Sequence, residues 1–374
     1  MTRVFDDPPV RESWPRETWV MGLMSGTSLD GIDAALLRSD GRDWVETGPF
    51  ITQPYDETFR QRLRSQLGKT GTDDDLAAVE RDLTLHHAAA VQALLQQANL
   101  SPQALGLIGF HGHTIAHDPG LGMTRQIGDG ALLAAETAVA VIADFRSRDV
   151  AQGGEGAPLA SLYHAALAAP LEKPLAVLNV GGVANVTWIG AAPDDLLAFD
   201  TGPGNALIDD WIRAHSDQGF DRDGAVARAG RVDEAVLARL LDHDYFGRRP
   251  PKSLDRLDFD GRAVADCSLA DGAATLTAFT AAAVARAGAH LPAPPRRWLV
   301  TGGGRHNPAI MMALRDRLEA PVDAVEAVGW SGDALEAQAF AYLAVRSRLG
   351  LPLSLPSTTG VQAPMPGGVL HPAA

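Results

Sequence analysis

What most constrains the fold of this chain is a local pattern that occurs once in each half: an apolar run, a glycine-rich turn and a second apolar run. The first copy runs from Trp19 to Met24, turns through Ser25-Gly26-Thr27-Ser28-Leu29-Asp30-Gly31 and resumes from Ile32 to Leu37. The second runs from Leu175 to Val180, turns through Gly181-Gly182-Val183-Ala184-Asn185 and resumes from Val186 to Ile189. Each reads as a β-hairpin in which glycine supplies positive φ or room for close backbone approach. Two hairpin-led halves imply a duplication and two similar lobes.

Helices and strands alternate after each hairpin. In the first half, Asp73 to Gln97 predicts a helix with acidic residues at its N-terminal end, Leu105 to Phe110 a short strand, and Leu132 to Asp144 a helix running into a strand. In the second half, strand Leu196 to Asp200 leads into helix Asn205 to Ala214, and further helices fall near Asp233 to Leu241 and Ala273 to Ala289. Strand Arg297 to Thr301, a glycine loop, helix Pro308 to Leu318 and helical spacing over Gly332 to Arg346 complete the pattern. Alternation of this kind implies an α/β class with helix-covered sheets. The expected division is a polar extension over 1–17, a first lobe over 18–145 onto which 349–374 returns, and a second lobe over 146–348.

The chain has 374 residues, 46% of them apolar, enough for two domains with separate cores. Its formal charge of −14 argues against general attraction to nucleic acid, so an anion must be held by local devices such as turn amides, helix N-termini or a divalent cation. Cys267 is the single cysteine, which excludes an intrachain disulfide and fits a reducing compartment. The first 19 residues are polar and proline-broken where a secretory signal needs an apolar run, and the most apolar stretches fall short of the ~18 residues of a membrane span. A cytoplasmic protein without membrane partners is expected.

Three glycine-rich turns follow predicted strands: Gly26 to Gly31, Gly202-Pro203-Gly204-Asn205, and Gly302-Gly303-Gly304. Residues without side chains let several backbone N–H groups converge on a phosphate. None of the three matches a P-loop or a full dinucleotide fingerprint. Asp200 ends an apolar strand beside a helix-opening Gly-Pro-Gly segment, which suits either a proton acceptor near an anion site or a helix N-cap. Asp30 and Asp33 straddle Gly31 and suit magnesium held through water, or simple solvation. His111, His113 and His117 raise a zinc hydrolase as an alternative, since i and i+2 on a strand share a face. Lys252, Arg146 and Arg148 sit in turn-like contexts where they could meet anionic substrate groups.

Lobes of this kind with paired phosphate turns look like the sugar kinase, heat-shock chaperone and actin superfamily, with ribonuclease-H-like lobes of the actin-like ATPase fold around a cleft. The finer match lies in GLMSGTSLDGID (22–33), FHGHT (110–114), QIGD (126–129), ADFRSRDVAQGGEGAPL (143–159) and NVGGVANV (179–186). It continues in FDTGPGNALIDDW (199–211), PKSLDR (251–256), TGGGRHN (301–307) and GDALEAQAFAYLA (332–344). In order and in content, these segments resemble the anhydro-N-acetylmuramic acid kinases.

The resemblance implies that ATP phosphorylates O6 of 1,6-anhydro-N-acetylmuramic acid while water opens the ring at C1, giving N-acetylmuramic acid 6-phosphate in bacterial peptidoglycan recycling. It implies Asp200 as the base for the attacking water and Glu336 as its positioning partner. ATP and Mg2+ would be held by Gly26, Thr27, Ser28, Leu29, Asp30, Gly31, Ile32 and Asp33, with Gly181, Gly182, Asn185, Gly202, Gly204, Asn205, Gly302, Gly303 and Gly304. The sugar would meet His113, Thr114, Gln126 and Arg146, and the enzyme would be a homodimer. His113 stands where the family usually has Gln, and Gly130 where Pro is common. A kinase for another anhydrosugar such as levoglucosan, or a non-catalytic actin-like ATP-binding protein, is the alternative.

Overall fold

A computed structural model describes residues 10–26, 29–192, 195–254 and 258–373. In chain order its strands are β1 (Trp19–Ser25), β2 (Gly31–Ser39), β3 (Val45–Pro54), β4 (Leu105–Asp118), β5 (Met123–Ile127) and β6 (Val141–Ala143). Then come β7 (Leu175–Val180), β8 (Val183–Ile189), β9 (Leu196–Pro203), β10 (Arg297–Thr301), β11 (Val322–Ala324) and β12 (Val369–His371). The chain divides into two compact units, Met1–Pro170 with Asp333–Ala374, and Leu171–Gly332.

The first unit's sheet has the order β12-β6-β4-β1-β2-β3, with β5 paired to β4; the second unit's has the order β11-β10-β7-β8-β9. In each, the first three strands are antiparallel neighbours; β4 and β6 of the first sheet, and β10 and β11 of the second, lie parallel to the first strand. Both units are therefore α/β and ribonuclease-H-like, one topology built twice. This pairing sends the carboxyl ends of β1, β3, β4 and β6 to one edge of the first sheet, and those of β7, β9 and β10 to one edge of the second. The glycine turns leave from those edges.

Local chemistry explains the helices. Asp73 caps Asp74–Gln97 by accepting from Leu76 N–H at 2.7 Å, and Ser268 caps Leu269–Ala287 by accepting from Asp271 N–H at 3.1 Å. Asn307, with Pro308 after it, starts Pro308–Arg315. Each unit has its own core. In the first, Leu83, Val91 and Leu94 of Asp74–Gln97 pack with Met21, Leu23, Ile108 and Phe110; in the second, Leu276, Phe279 and Val284 of Leu269–Ala287 pack with Leu178, Val186 and Phe199.

Several boundaries differ from expectation. The helix Leu335–Arg348 belongs to the first unit, where it packs on β1, β2 and β4, so the expected second lobe over 146–348 is too long at both ends. Sequence order hid this, because the helix follows the second lobe in the chain yet docks where Gly22 and Gly109 leave the sheet bare. The strand expected over Leu105 to Phe110 runs on to Asp118, bending at Gly112 with φ +73°, and pairs with the unforeseen β5. The expected helix-to-strand stretch separates into Gly130–Thr137 and β6, with Ala138 left-handed between them. The described part of the N-terminal extension is not loose: Trp14 is buried against Gly106, and Arg11 N–H donates to Arg348 O at 2.8 Å.

A Cβ on Gly22 would lie 1.7 Å from Ala337 O, against backbone that cannot yield. We predict that Gly22→Ala lowers stability by at least ~2 kcal/mol in urea unfolding, whereas Gly71→Ala, which meets open space, stays within ~0.5 kcal/mol. Equal stability of the two variants would contradict the packing.

Candidate active site

In the second unit a row of polar residues crosses the sheet at its functional edge. Thr301 of β10 lies beside Asn179 of β7, Asn179 opposite Asn185 of β8, and Asn185 opposite Asp200 of β9. Residues directly opposed across antiparallel strands share a face, so Asn179, Asn185 and Asp200 present side by side. The turns follow immediately. Asn205 N–H donates to Gly181 O at 2.7 Å, Gly204 N–H donates to Gly182 O at 2.9 Å, and Asn205 Nδ2 donates to Val180 O at 3.1 Å. Two segments predicted separately are thus stitched into one backbone cluster, and the third turn packs on it, Gly302 and Gly304 lying against Asn179 and Val180.

The glycines of this cluster serve two purposes. Gly202, Gly204, Gly302 and Gly304 have no room for a Cβ, which would fall within 2.1 to 2.8 Å of Ala283, Gly181 O, Asn179 Oδ1 and Val180 respectively. They are required by packing of protein on protein. Around Gly181 and Gly303 a Cβ would meet nothing nearer than 3.5 Å, so the space beside these two is open. Arg305 braces the third turn: its Nη1 donates to Gly302 O at 3.0 Å and its Nε to Glu326 at 2.9 Å.

Asp200 is buried but tied on every side. Its N–H donates to Lys252 O at 3.0 Å, its Oδ2 accepts from Leu254 N–H at 2.8 Å, and its carbonyl accepts from the Tyr245 hydroxyl. It does not cap the following helix, whose N-cap is Asn205, so the structural alternative for this residue is removed. Lys252 is buried too, its Nζ donating to Tyr245 O at 3.0 Å and lying 4.3 Å from the Tyr245 ring. Burial and the Arg248 charge push its ammonium down to about 8, against the pull of the Asp200 carboxylate. Of the segment PKSLDR, residues 255–257 lie outside the described residues, as do Thr27 and Ser28 of the first turn.

In the first unit Asp33 of β2 pairs with Thr52 of β3, whose hydroxyl donates to it at 2.6 Å. Burial, with Asp30, Glu336 and Asp333 nearby, pushes the Asp33 carboxyl up to about 7, even against the Thr52 hydrogen bond. Glu336 reaches this group from the first turn of Leu335–Arg348. Leu29 has φ +61° and donates its N–H to Gly26 O at 3.1 Å; Gly31 and Ile32 open β2.

The residues expected at the sugar separate into two sets. Thr114 and Gln126 face each other across β4 and β5, half-buried, Gln126 Nε2 donating to the Thr114 hydroxyl at 3.1 Å. Arg146, also half-buried, donates from Nε to His111 Nε2 at 3.0 Å and from Nη1 to Gly156 O at 2.6 Å. His113 is a correction. It is fully buried, with Nδ1 2.9 Å from Ser25 Oγ, so it offers no atom to a sugar. The zinc alternative fails on geometry: His111, His113 and His117 each bond a protein neighbour, and among the described residues no three His, Cys, Asp or Glu side chains converge to hold a metal ion.

Known proteins resemble this chain along most of its length. The profile of the anhydro-N-acetylmuramic acid kinases matches residues 18–373. The anhydro-N-acetylmuramic acid kinase of Rhodospirillum rubrum is 56% identical over 358 residues, covering 95% of each chain. That of Paramagnetospirillum magneticum is 56% identical over 356 residues, with 94% of this chain and 99% of the relative covered. That of Zymomonas mobilis is 48% identical over 360 residues, covering 94% and 99%. The chain belongs to the anhydro-N-acetylmuramic acid kinase family. It is accordingly a kinase, and the alternatives of a zinc hydrolase and a non-catalytic ATP-binding protein are set aside. No helix among the described residues is long and apolar enough to cross a membrane.

Sequence reasoning missed Thr52 and Tyr55, which lie at the end of an unforeseen strand, and left the burial of Lys252 unread. The raised carboxyl of Asp33 has a measurable sign. Because the unfolded chain releases this proton near 3.8 and the folded chain near 7, Asp33 makes stability fall as pH rises between those values. Without nucleotide or divalent cation, Asp33→Asn should raise Tm relative to the parent by several degrees at pH 8, and by much less at pH 5. A difference that is flat with pH would refute the assignment.

Proposed function

We propose that this chain is a cytoplasmic enzyme that uses ATP and Mg2+ to open the 1,6-anhydro ring of 1,6-anhydro-N-acetylmuramic acid and phosphorylate it at O6, in peptidoglycan recycling. The observation that carries the reading is Asp200, buried at the end of β9 with its carboxylate accepting from Leu254 N–H and its backbone bonded to Lys252 and Tyr245, in a chain matched over 358 residues by a relative of that name. The homodimeric state and the lack of nucleic-acid partners belong to the same reading, supported by family membership and by the acidic composition.

Asp200 accepts a proton from a water molecule, whose oxygen forms a bond to C1 of the sugar. The C1–O6 bond breaks, O6 takes the γ-phosphoryl group, and ADP leaves. Atoms and charge balance: sugar, ATP and water give N-acetylmuramic acid 6-phosphate, ADP and one proton, the one that Asp200 takes and then releases to solvent. Lys252 brings a positive charge to the neighbourhood of Asp200. The Gly26 to Gly31 turn, with Gly181, Gly303 and the Asn205 side chain, holds phosphate oxygens and the nucleoside.

Asp30 and Asp33 would hold magnesium together with phosphate oxygens and water, as suits an ion that keeps much of its own hydration. The donor set fits, since Asp33 sits among like charges that a cation would offset. When bound, the ion neutralises charge on the phosphates. Glu336 helps to position the attacking water.

Asp200→Asn should keep ATP affinity within about twofold while lowering kcat at least ~10³-fold, because an amide cannot take the proton. Isothermal titration and a coupled ADP assay measure the two quantities. Near-parental kcat in this variant would remove Asp200 as the base.

A further inference from the structure

Ser25 is the last residue of β1 and the point from which the Gly26 to Gly31 turn departs. An irregularity in the β1–β4 pairing between Leu23 and Ser25 sets Ser25 beside His113. Its hydroxyl lies 2.9 Å from His113 Nδ1 and 2.7 Å from the Tyr55 hydroxyl. Tyr55 follows β3, and its backbone N–H donates to Asp30 O at 3.1 Å. One tyrosine therefore ties both ends of the turn, the phenol at Ser25 and the amide at Asp30, while His113 backs Ser25 from the neighbouring strand.

Packing is a poor reason for a histidine at this position. His113 has 0% exposure, and its Nε2 finds no hydrogen-bond partner among the described residues. A buried polar atom left unpaired is destabilising, and an apolar side chain of similar size would avoid that cost. Burial holds the ring neutral at physiological pH, its imidazolium pushed down to about 4. What remains is the hydrogen bond from Nδ1 to Ser25.

We propose that His113 is a positioning residue for nucleotide phosphates: through Ser25 and Tyr55 it fixes Ser25 and Asp30, from which the glycine-rich turn is held, trading some fold stability for that fixed placement. The proposal rests on the reading of that turn as a phosphate cradle.

The test compares the parent enzyme with His113→Leu, His113→Gln and Tyr55→Phe by thermal unfolding and by separate KM values for ATP and sugar. His113→Leu should unfold at or above the parental Tm, yet raise KM for ATP about tenfold while KM for the sugar stays within about twofold. His113→Gln, whose amide can bond Ser25, should restore most of the ATP KM. Tyr55→Phe, which removes one oxygen, should raise the ATP KM in the same way and serves if the leucine variant does not fold.

An unchanged ATP KM in both His113→Leu and Tyr55→Phe overturns the proposal. So does a lowered Tm with both KM values moving together, which is the signature of a merely structural role. If the parent enzyme itself neither binds nor consumes ATP, the functional reading fails, and that outcome is distinct because it appears before any substitution.

Discussion

The structure depends on one contact in which helix backbone lies directly on sheet backbone. Gly22 of β1 and Gly109 of β4 leave no side chain between the sheet and the helix Leu335–Arg348, so that Ala337 O and Phe340 O occupy the space where Cβ atoms would be. A helix that arrives some 300 residues after β1 is thereby set at a fixed height on the first sheet. Its first turn carries Glu336 and follows Asp333, and both add negative charge around Asp33. Glycine at two strand positions, chosen for absence of bulk, decides the electrostatics at the end of β2.

The second unit solves the same problem differently. Its functional edge is fixed by hydrogen bonds rather than by close helix packing, with the Tyr245–Leu254 segment strapped along β9 and bonded to Asp200 at its amide, carbonyl and carboxylate. A buried Lys252 completes that strap. An ammonium between aromatic rings and next to a carboxylate is costly to bury alone and stable as part of such a set. The overall charge of −14 then matters little, because local groups set the potential at the site.

The hairpins, the long helices and the strand-ending position of Asp200 were legible because each has a local signature: alternating apolar runs around glycine, Asp or Ser at an N-cap, a carboxylate closing a strand. β3 escaped because Val45–Pro54 is half-exposed and contains Gly48 and Pro49, which break apolar alternation. β5 escaped because Met123–Ile127 is a short polar strand whose pairing with β4 is non-local. The lobe boundary was misplaced since sequence order does not reveal that a helix returns to an earlier sheet. His113 was read as a sugar ligand from its motif, and only the neighbouring strand shows that its ring faces Ser25 and the core. The glycine turns carry a second constraint that motifs do not show: Gly202, Gly204, Gly302 and Gly304 leave no room for a Cβ against neighbouring protein atoms.

Water entering at C1 while phosphate arrives at O6 is the claim on which the functional account stands, and isotopic labelling reaches it directly. The enzyme would be incubated with ATP and 1,6-anhydro-N-acetylmuramic acid in water enriched in heavy oxygen, and the sugar product weighed promptly by mass spectrometry. The account predicts a ring-opened monophosphate carrying one heavy oxygen at C1. A phosphorylated product that retains the anhydro bridge and no label, or ADP formed with no sugar phosphate, would contradict it.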